Sequence, residues 1–344
     1  MSGRPRAARA ICKVALLALL SACQTPVSGP LAASGPPPIP ATAQGLQPAT
    51  GKTYIAESIG DDLWWIGNGA YMVMLMAGPD GVALVDAPPS MDGMLVEAVA
   101  ELTGGRSVTH LIYSHHHGDH IGAAARFSEA TIVAQAETTA LLARGEPCED
   151  CIDDPDPRPR PTVTFSESYH LDLGDGQVLD LRYHGPNHSR GNIVIHAPNH
   201  RALMVVDVVY PGYVPFDLLA VSSDIPGWVS ALDDVLSYDF DVLVGGHISR
   251  TGSREDVQLA KSYVGDLREA ATRALADNQR SDIIPAAIAT FGPADGWWLT
   301  NRHTEAVVAQ CATDIRQAWT GRLAGVETFA DSHCKRMQFS LRID

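Results

Sequence analysis

Four short apolar runs in this chain each end on an aspartate or a histidine. "VALV" runs into Asp86, "LIYS" into His115, "ALMVV" into Asp207, and "VLVGG" leads into His247. Runs of this length and composition read as buried strands. A carboxylate placed just after such a run is costly unless it is paired or holds a cation. Residues in loops past strand ends are well placed to converge on one point. The repetition therefore asks for a sheet scaffold whose strand ends meet at one polar site.

The surrounding pattern fits that scaffold. Residues 52–88 read as strands broken by the turn signals "GNG" and "GPDG". Residues 91–103 carry Met91, Met94, Leu95, Val99 and Leu102 at helical spacing. Strand 108–114, a helix from 120 and strand 130–135 continue an alternating β-α-β order. After a Pro-rich insertion at 147–161, hairpin strands turn at "GDG", then "NIVIHAP", "ALMVVDVV", the helix "PGWVSALDDVLSYD" and the strand "VLVGGH" follow. The two halves share a strand–helix–strand style, which predicts an α/β chain with two similar sheets packed face to face. From 255 onward "REDVQLAKSYVGDLREAATRALADN" and "TEAVVAQCATDIRQAWTGRLAG" read as helices.

The densest chemistry lies at 114–120, "SHHHGDH". Histidine is the commonest protein ligand for zinc and carboxylate oxygen is a harder partner. In an extended stretch His115 and His117 point to the same side. Asp119 and His120 point elsewhere, which suits a second metal. His188 lies between two strands in "HGPNHSRGN".

HxHxDH at 115–120, followed by His188, Asp207 and His247, resembles the metallo-β-lactamase-fold hydrolase superfamily over roughly residues 52–250. The resemblance implies a four-layer αβ/βα sandwich of two mixed sheets flanked by helices, here with a C-terminal helical extension. It implies that His115, His117 and His188 bind one metal, that Asp119, His120 and His247 bind another, and that Asp207 bridges both. Asp86 matches the family's early strand-end aspartate beside the site. The implied cofactors are two Zn2+, replaceable by manganese or iron. The implied reaction is attack by a metal-bound hydroxide, with Asp119 orienting the nucleophile and shuttling its proton. Zinc β-lactamases of the family carry Cys or Ser where Asp207 stands, so the small-molecule substrate expected is an ester, thioester, lactone or amide. The alternatives are β-lactam hydrolysis and a zinc-binding lipoprotein without turnover.

Other residues receive plainer readings. His116 should point away from the ligands, and His110, His170, His184 and His196 are expected in structural roles within strands. Tyr210, Tyr213 and Phe216 either line the site's mouth or pack on the scaffold. Trp297 and Trp298, with the acidic CxxC insertion, are expected to shape the pocket.

The formal net charge of −15 opposes binding to phosphate backbones, so nucleic acid is not an expected partner. Arg4, Arg6, Arg9 and Lys13 precede the apolar run "VALLALLSA", too short for a permanent span. Leu20-Ser21-Ala22-Cys23 resembles the lipobox of bacterial lipoproteins and implies cleavage before Cys23. With Gln24 next, it implies an outer-membrane lipoprotein facing the periplasm; the alternative is a secreted or periplasmic soluble protein. The organisation expected is signal peptide 1–22, flexible tether 23–50, hydrolase domain 51–254 and helical extension 255–344. Cys148, Cys151, Cys311 and Cys334 can form disulfides in an oxidising compartment, in a connectivity the sequence leaves open. Acylation at Cys23, the only membrane contact expected, should make the chain fractionate with membranes and leave them in detergent but not in salt. Mass spectrometry finding a soluble, unmodified N-terminus beyond Cys23 would replace this with simple secretion.

Overall fold

Short turns dictate the first sheet. β1 (Ile55–Gly60), β2 (Leu63–Gly67), β3 (Met72–Gly78) and β4 (Gly81–Val85) pair antiparallel in chain order. The chain then crosses over through α1 (Asp92–Thr103) to β5 (His110–Ile112), parallel to β4. α2 (Gly118–Ile121) and a 3-10 turn lead to β6 (Thr131–Gln135), α3 (Ala136–Leu142) follows, and β7 (Val163–Phe165) closes the parallel edge. The computed structural model describes residues 35–144 and 158–344, and Pro38–Asp344 form one compact unit. Cys23 and the Cys148–Cys151 insertion lie outside the described residues.

At Ser166 and Glu167 the chain changes sheets. β8 (Ser168–Asp172) and β9 (Val178–Arg182) form the hairpin expected at "GDG", but β7 stays behind in the first sheet. β10 (Val194–Ala197), β11 (Ala202–Val205) and β12 (Val242–Val244) complete a five-stranded second sheet in the order β12-β11-β10-β9-β8, with only β11–β12 parallel. Both sheets are mixed, as the family resemblance implies.

Three apolar layers hold the sandwich together. Met72, Met74, Met76, Val85 and Ile112 face Leu179, Ile195, Met204 and Val244 across the gap between sheets. The other face of the first sheet packs on α1 through Leu84, Leu95, Val99 and Leu111. The other face of the second sheet packs on α5 (Ile225–Ser237) and on the C-terminal helices through Leu203, Trp228, Leu232 and Leu243. β3 is buried along its whole length because both of its faces meet a layer, which explains why "MVMLMAG" does not alternate. Full burial of one such side chain contributes about 1.5–3 kcal/mol.

The extension is α6 (Arg254–Asp277), α7 (Arg280–Phe291), α8 (Gly296–Trp319) and α9 (Val326–Ile343). Ser253 and Asp256 form a capping box at the start of α6. Cys311 in α8 is bonded to Cys334 in α9, which resolves the pairing left open for that pair. Trp319 is buried, with its indole N–H donating to Asp266 at 2.9 Å. Among the described residues no helix is long and apolar enough to cross a membrane.

Two local features depart from expectation. The end of the stretch read as a flexible tether is docked: Ala43 is buried, Thr42 Oγ1 donates to the Arg322 carbonyl at 2.9 Å, and Leu46 N–H donates to Ser249 O at 2.8 Å. Gly212 makes room for it, since a Cβ there would lie 2.1 Å from the Thr42 oxygen. The second feature is α4 (Asp217–Ala220), a left-handed turn. Leu218, Leu219, Ala220 and Val221 all have φ between 45° and 58°. Each L-residue in that conformation costs roughly 1–2 kcal/mol, so surrounding contacts must hold the turn.

Candidate metal centre

The candidate ligands sit just past strand ends, in a loop between strands or in the short helix α2. The β5–α2 loop supplies His115 and His117, and α2 itself supplies Asp119 and His120; the β9–β10 connection supplies His188; Asp207 follows β11 and His247 follows β12. Ligand-type atoms of His115, His117, His188 and Asp207 lie within 4.8 Å of one another, and those of Asp119, His120 and His247 form a second group on the same criterion. The resemblance groups the other six residues in the same way and has Asp207 shared between the two groups.

Backbone strain marks the same places. Asp86 and Asp207 have φ of 65° and 62°, and Ile248, next to His247, has φ 74°. A β-branched residue there is a clear outlier, and such outliers gather where surrounding structure fixes a functional geometry. Gly246 permits the turn into His247: its φ is +85° and a Cβ would meet Val206 Cγ1 at 2.7 Å.

Hydrogen bonds behind the ligands fix which nitrogens face inward. Asp86 accepts from the Ser114 N–H at 2.8 Å and from the Ser114 hydroxyl at 2.6 Å. The hydroxyl, its proton committed to Asp86, then accepts from His115 Nδ1 at 2.9 Å. The lone pair of His115 is thereby assigned to Nε2, which is buried and has no hydrogen-bond partner. His247 is oriented likewise, since Nδ1 can only donate to the Ala70 carbonyl at 3.2 Å, leaving Nε2 toward the site. Such supporting bonds set ring orientation and ligand basicity.

The inward nitrogens meet on Asp207. Its Oδ2 lies 3.1 Å from His188 Nε2, 3.2 Å from His120 Nε2 and 3.6 Å from His115 Nε2. Its Oδ1 lies 3.0 Å from His247 Nε2 and accepts from the Tyr210 hydroxyl at 3.0 Å. His117 Nδ1 and His188 Nε2 stand 3.0 Å apart, and His120 Nε2 and His247 Nε2 3.1 Å apart. Imidazole nitrogens crowded around one carboxylate, with His115 Nε2 left unsatisfied, fit a pair of divalent cations. An all-N,O donor set suits zinc, manganese or iron.

Protonation agrees with that fit. Burial, reinforced by neighbouring histidines, pushes His115 well below the ordinary range and His117 down to about 2, so both are neutral ligands. Burial also acts against a charged His120, but the Asp207, Asp119 and Asp86 carboxylates overcome it and raise the group to about 9. Burial acts against ionised Asp207 as well, yet His120 and His188 hold it well below the usual carboxylate range. Asp86 is raised to about 6 by burial, against the pull of His120 and Ser114. A proton on His120 thus balances Asp207, and an incoming cation must displace it. From the two ligand groups about two metal ions per chain are expected. Elemental analysis checks this. A content at or below one, unchanged by added zinc, would contradict the two-metal reading.

The remaining histidines keep out of this cluster. His116 hydrogen-bonds Ser189 Oγ at 2.9 Å, and burial lowers it to about 4. His170 pairs with Asp180 at 2.7 Å, and His196 contacts the Asp239 carbonyl at 3.2 Å. Both line a separate cavity of about 320 Å³ with Arg182 and Tyr238. His184 lies two residues beyond β9 rather than within a strand, 2.7 Å from the Tyr238 hydroxyl. His110 contacts Thr109 Oγ1 at 2.9 Å.

Tyr210, Tyr213 and Phe216 do line a cavity, of about 290 Å³, that His247 also borders. From the extension its wall takes Gly325 and Phe329. Trp297 and Trp298 are not among its lining residues; Trp297 is 83% exposed and Trp298 packs on Phe291 and Arg302. Sequence reasoning missed Tyr71, whose hydroxyl lies 3.3 Å from Asp119 Oδ2 and whose ring packs on His247 at 4.6 Å. The "GNG" turn before it was the only available signal.

The family model for the metallo-beta-lactamase superfamily matches residues 66–247, over half the chain. The chain belongs to the metallo-beta-lactamase superfamily. As a member it is a metal-dependent hydrolase, and the two His/Asp groups are consistent with a binuclear site. Over 208 aligned residues, 58% of this chain, it is 30% identical to the 2,4-dinitroanisole O-demethylase subunit alpha of Nocardioides sp. (strain JS1661), spanning 59% of that subunit's length. Over 250 aligned residues, 61% of this chain and 87% of the relative, it is 27% identical to the acyl-coenzyme A thioesterase MBLAC2 of Homo sapiens. Among solved structures it shares its fold with a metallo-beta-lactamase from Pontibacter korlensis, with a TM-score of 0.51 and 18% identity over 61% of this chain and 97% of that one.

Proposed function

We propose that this superfamily member hydrolyses a carboxylic ester or thioester, with lactones and amides as chemically adjacent substrates. Two zinc ions are the cations favoured, held by His115, His117 and His188 on one side and Asp119, His120 and His247 on the other, with Asp207 shared. The observation that carries the reading is Asp207 itself, whose two oxygens face nitrogens of both groups at 3.0–3.2 Å. Cations bound there supply Lewis-acid activation of a water and of a carbonyl.

The protein's own groups do the rest. Asp119 is the most solvent-accessible carboxylate of the set, with 35% of its side chain exposed. It can accept a proton from the attacking water and return it to the leaving group. Tyr71 donates to Asp119 Oδ2 and holds it turned toward the site. Tyr210, buried and raised well above the usual phenol range by burial and by Asp207, stays protonated and keeps its bond to the shared carboxylate. The thioesterase relative supports a thioester as the first substrate class, and the demethylase relative adds an aryl methyl ether to the panel.

The test is a hydrolysis screen of zinc-, manganese- and iron-loaded protein against acyl thioesters, aryl esters, lactones, β-lactams and a nitroaryl methyl ether. Turnover confined to β-lactams, or none at all, would refute the reading. Asp119→Ala is expected to reduce kcat on the best substrate by about a hundredfold, the scale of lost proton transfer. Near-parental rates in a variant with intact circular dichroism would remove Asp119 from that role.

A further inference from the structure

We propose that the cavity beside His247 is the acyl pocket of this hydrolase, and that the C-terminal extension sets which acyl groups it accepts. The inference rests on the ester or thioester reading above. The cavity is about 290 Å³, near the lower end of the roughly 300–1,000 Å³ of small-molecule pockets. Tyr210, Tyr213, Val214 and Phe216 line it from the β11–α5 connection, and Gly325 and Phe329 line it from the extension. No lining residue is a lysine, arginine or acid. Of the two halves of a coenzyme-type thioester, the charged leaving group belongs in water, so the apolar cavity suits the acyl half.

Two residues join the cavity to the metal centre: Tyr210 lines it and donates to Asp207 at 3.0 Å, and His247 lies on both. His247 faces Asp207 on one side and borders the cavity on the other, against the rings of Tyr210 at 5.8 Å and Phe216 at 6.2 Å. An acyl group seated there leaves its carbonyl beside the ligands.

The extension builds this wall twice over. Directly, α9 contributes Phe329, and the segment before it contributes Gly325. Indirectly, α9 clamps the left-handed turn α4 that follows Phe216. Ser332 Oγ accepts from the Leu218 N–H at 3.1 Å, His333 Nε2 donates to the Phe216 carbonyl at 3.2 Å, and Arg336 donates to the Ser222 carbonyl at 3.3 Å. The backbone of Val214 and Gly212 is bonded to Ala324 on either side, both at 3.0 Å. Four consecutive residues at positive φ do not hold that shape unaided. The clamp is what presents Phe216 to the cavity, so the extension is part of the substrate site and not an appendage.

The test compares 4-nitrophenyl esters from acetate to decanoate, which share one leaving group. In the zinc-loaded protein kcat/KM should rise at least tenfold above acetate and then fall once the chain outgrows the cavity. Phe329→Ala should move the maximum to longer chains. Ala70→Phe, which changes only the side chain at an exposed lining position, should move it to shorter ones. A second readout needs neither metal nor turnover. Calorimetric titration of the metal-free protein with n-hexanol should show binding that Ala70→Phe weakens at least fivefold.

A flat acyl profile would overturn the proposal. So would chain-length preference and hexanol affinity left unchanged by both variants, or a preference that follows the alcohol half when that half is varied instead. If no ester or thioester turns over while hexanol binds and Ala70→Phe weakens it, the apolar cavity stands and the hydrolytic reading fails.

Discussion

Exchanging Asp207 for asparagine is expected to lower kcat/KM about a thousandfold, beyond the 10–100-fold that follows loss of a group merely supporting a metal ligand. Metal content should fall from about two to one or fewer. The reason is the density of contacts on one carboxylate: His120, His188 and His247 within 3.2 Å, and the Tyr210 hydroxyl at 3.0 Å. The amide keeps the shape but loses the charge that balances cations. Asparagine is the better probe than alanine, because the residue sits at φ 62°, where Asn is tolerated and Ala is strained. Asp207→Ala should be at least as inactive and less stable. Elemental analysis with steady-state kinetics checks both. An asparagine variant that retains two metals and a rate within tenfold of the parent would deny the carboxylate its shared role.

Most of the residues gathered at the metal centre were legible because their signal is local, and their division between two metals came from the family resemblance. A histidine or aspartate directly after a buried run is anomalous by burial cost alone, and His115 to His120 lie within a few residues of one another. The face-to-face sheets followed from strand–helix alternation. What stayed hidden depends on contacts between distant parts of the chain. Phe329 reaches the cavity more than eighty positions after His247, on a helix whose polar sequence carries no chemical motif. The left-handed turn is written in "DLLAV", which has no glycine or asparagine to announce positive φ; α9 imposes it. Pro285 sits inside α7 and breaks the usual helix signal. The move of the chain from β7 in one sheet to β8 in the other occurs within two residues, Ser166 and Glu167, that look like an ordinary turn.

Acid is expected to weaken the docking of α9, through His333. The ring is fully buried. Its Nδ1 accepts from the Tyr263 hydroxyl at 2.7 Å and its Nε2 donates to the Phe216 carbonyl at 3.2 Å, so the neutral tautomer satisfies both partners. Phe329 stacks alongside at 6.0 Å. Burial pushes the group down to about 4, with the Phe216 and Pro215 carbonyls and Asp217 pulling only weakly the other way. In the unfolded chain the same imidazole titrates near 6.5. Below that pH the unfolded state binds the proton and the folded state does not, so stability falls with falling pH. The contribution is fully present above pH 6.5 and is lost progressively between 6.5 and about 4, amounting to about 3 kcal/mol. His115 and His117 add slopes of the same sign, and these cancel when parent and variant are compared in the same metal state. In that comparison, guanidinium unfolding at pH 7 and pH 4.5 should show His333→Gln, whose amide can donate and accept without a charge, losing about 2 kcal/mol less than the parent. The disulfide between Cys311 and Cys334 keeps α9 tied to α8 throughout, so the acid effect should appear first at the cavity wall. Equal losses in parent and variant would show that His333 carries no such burden in the folded protein.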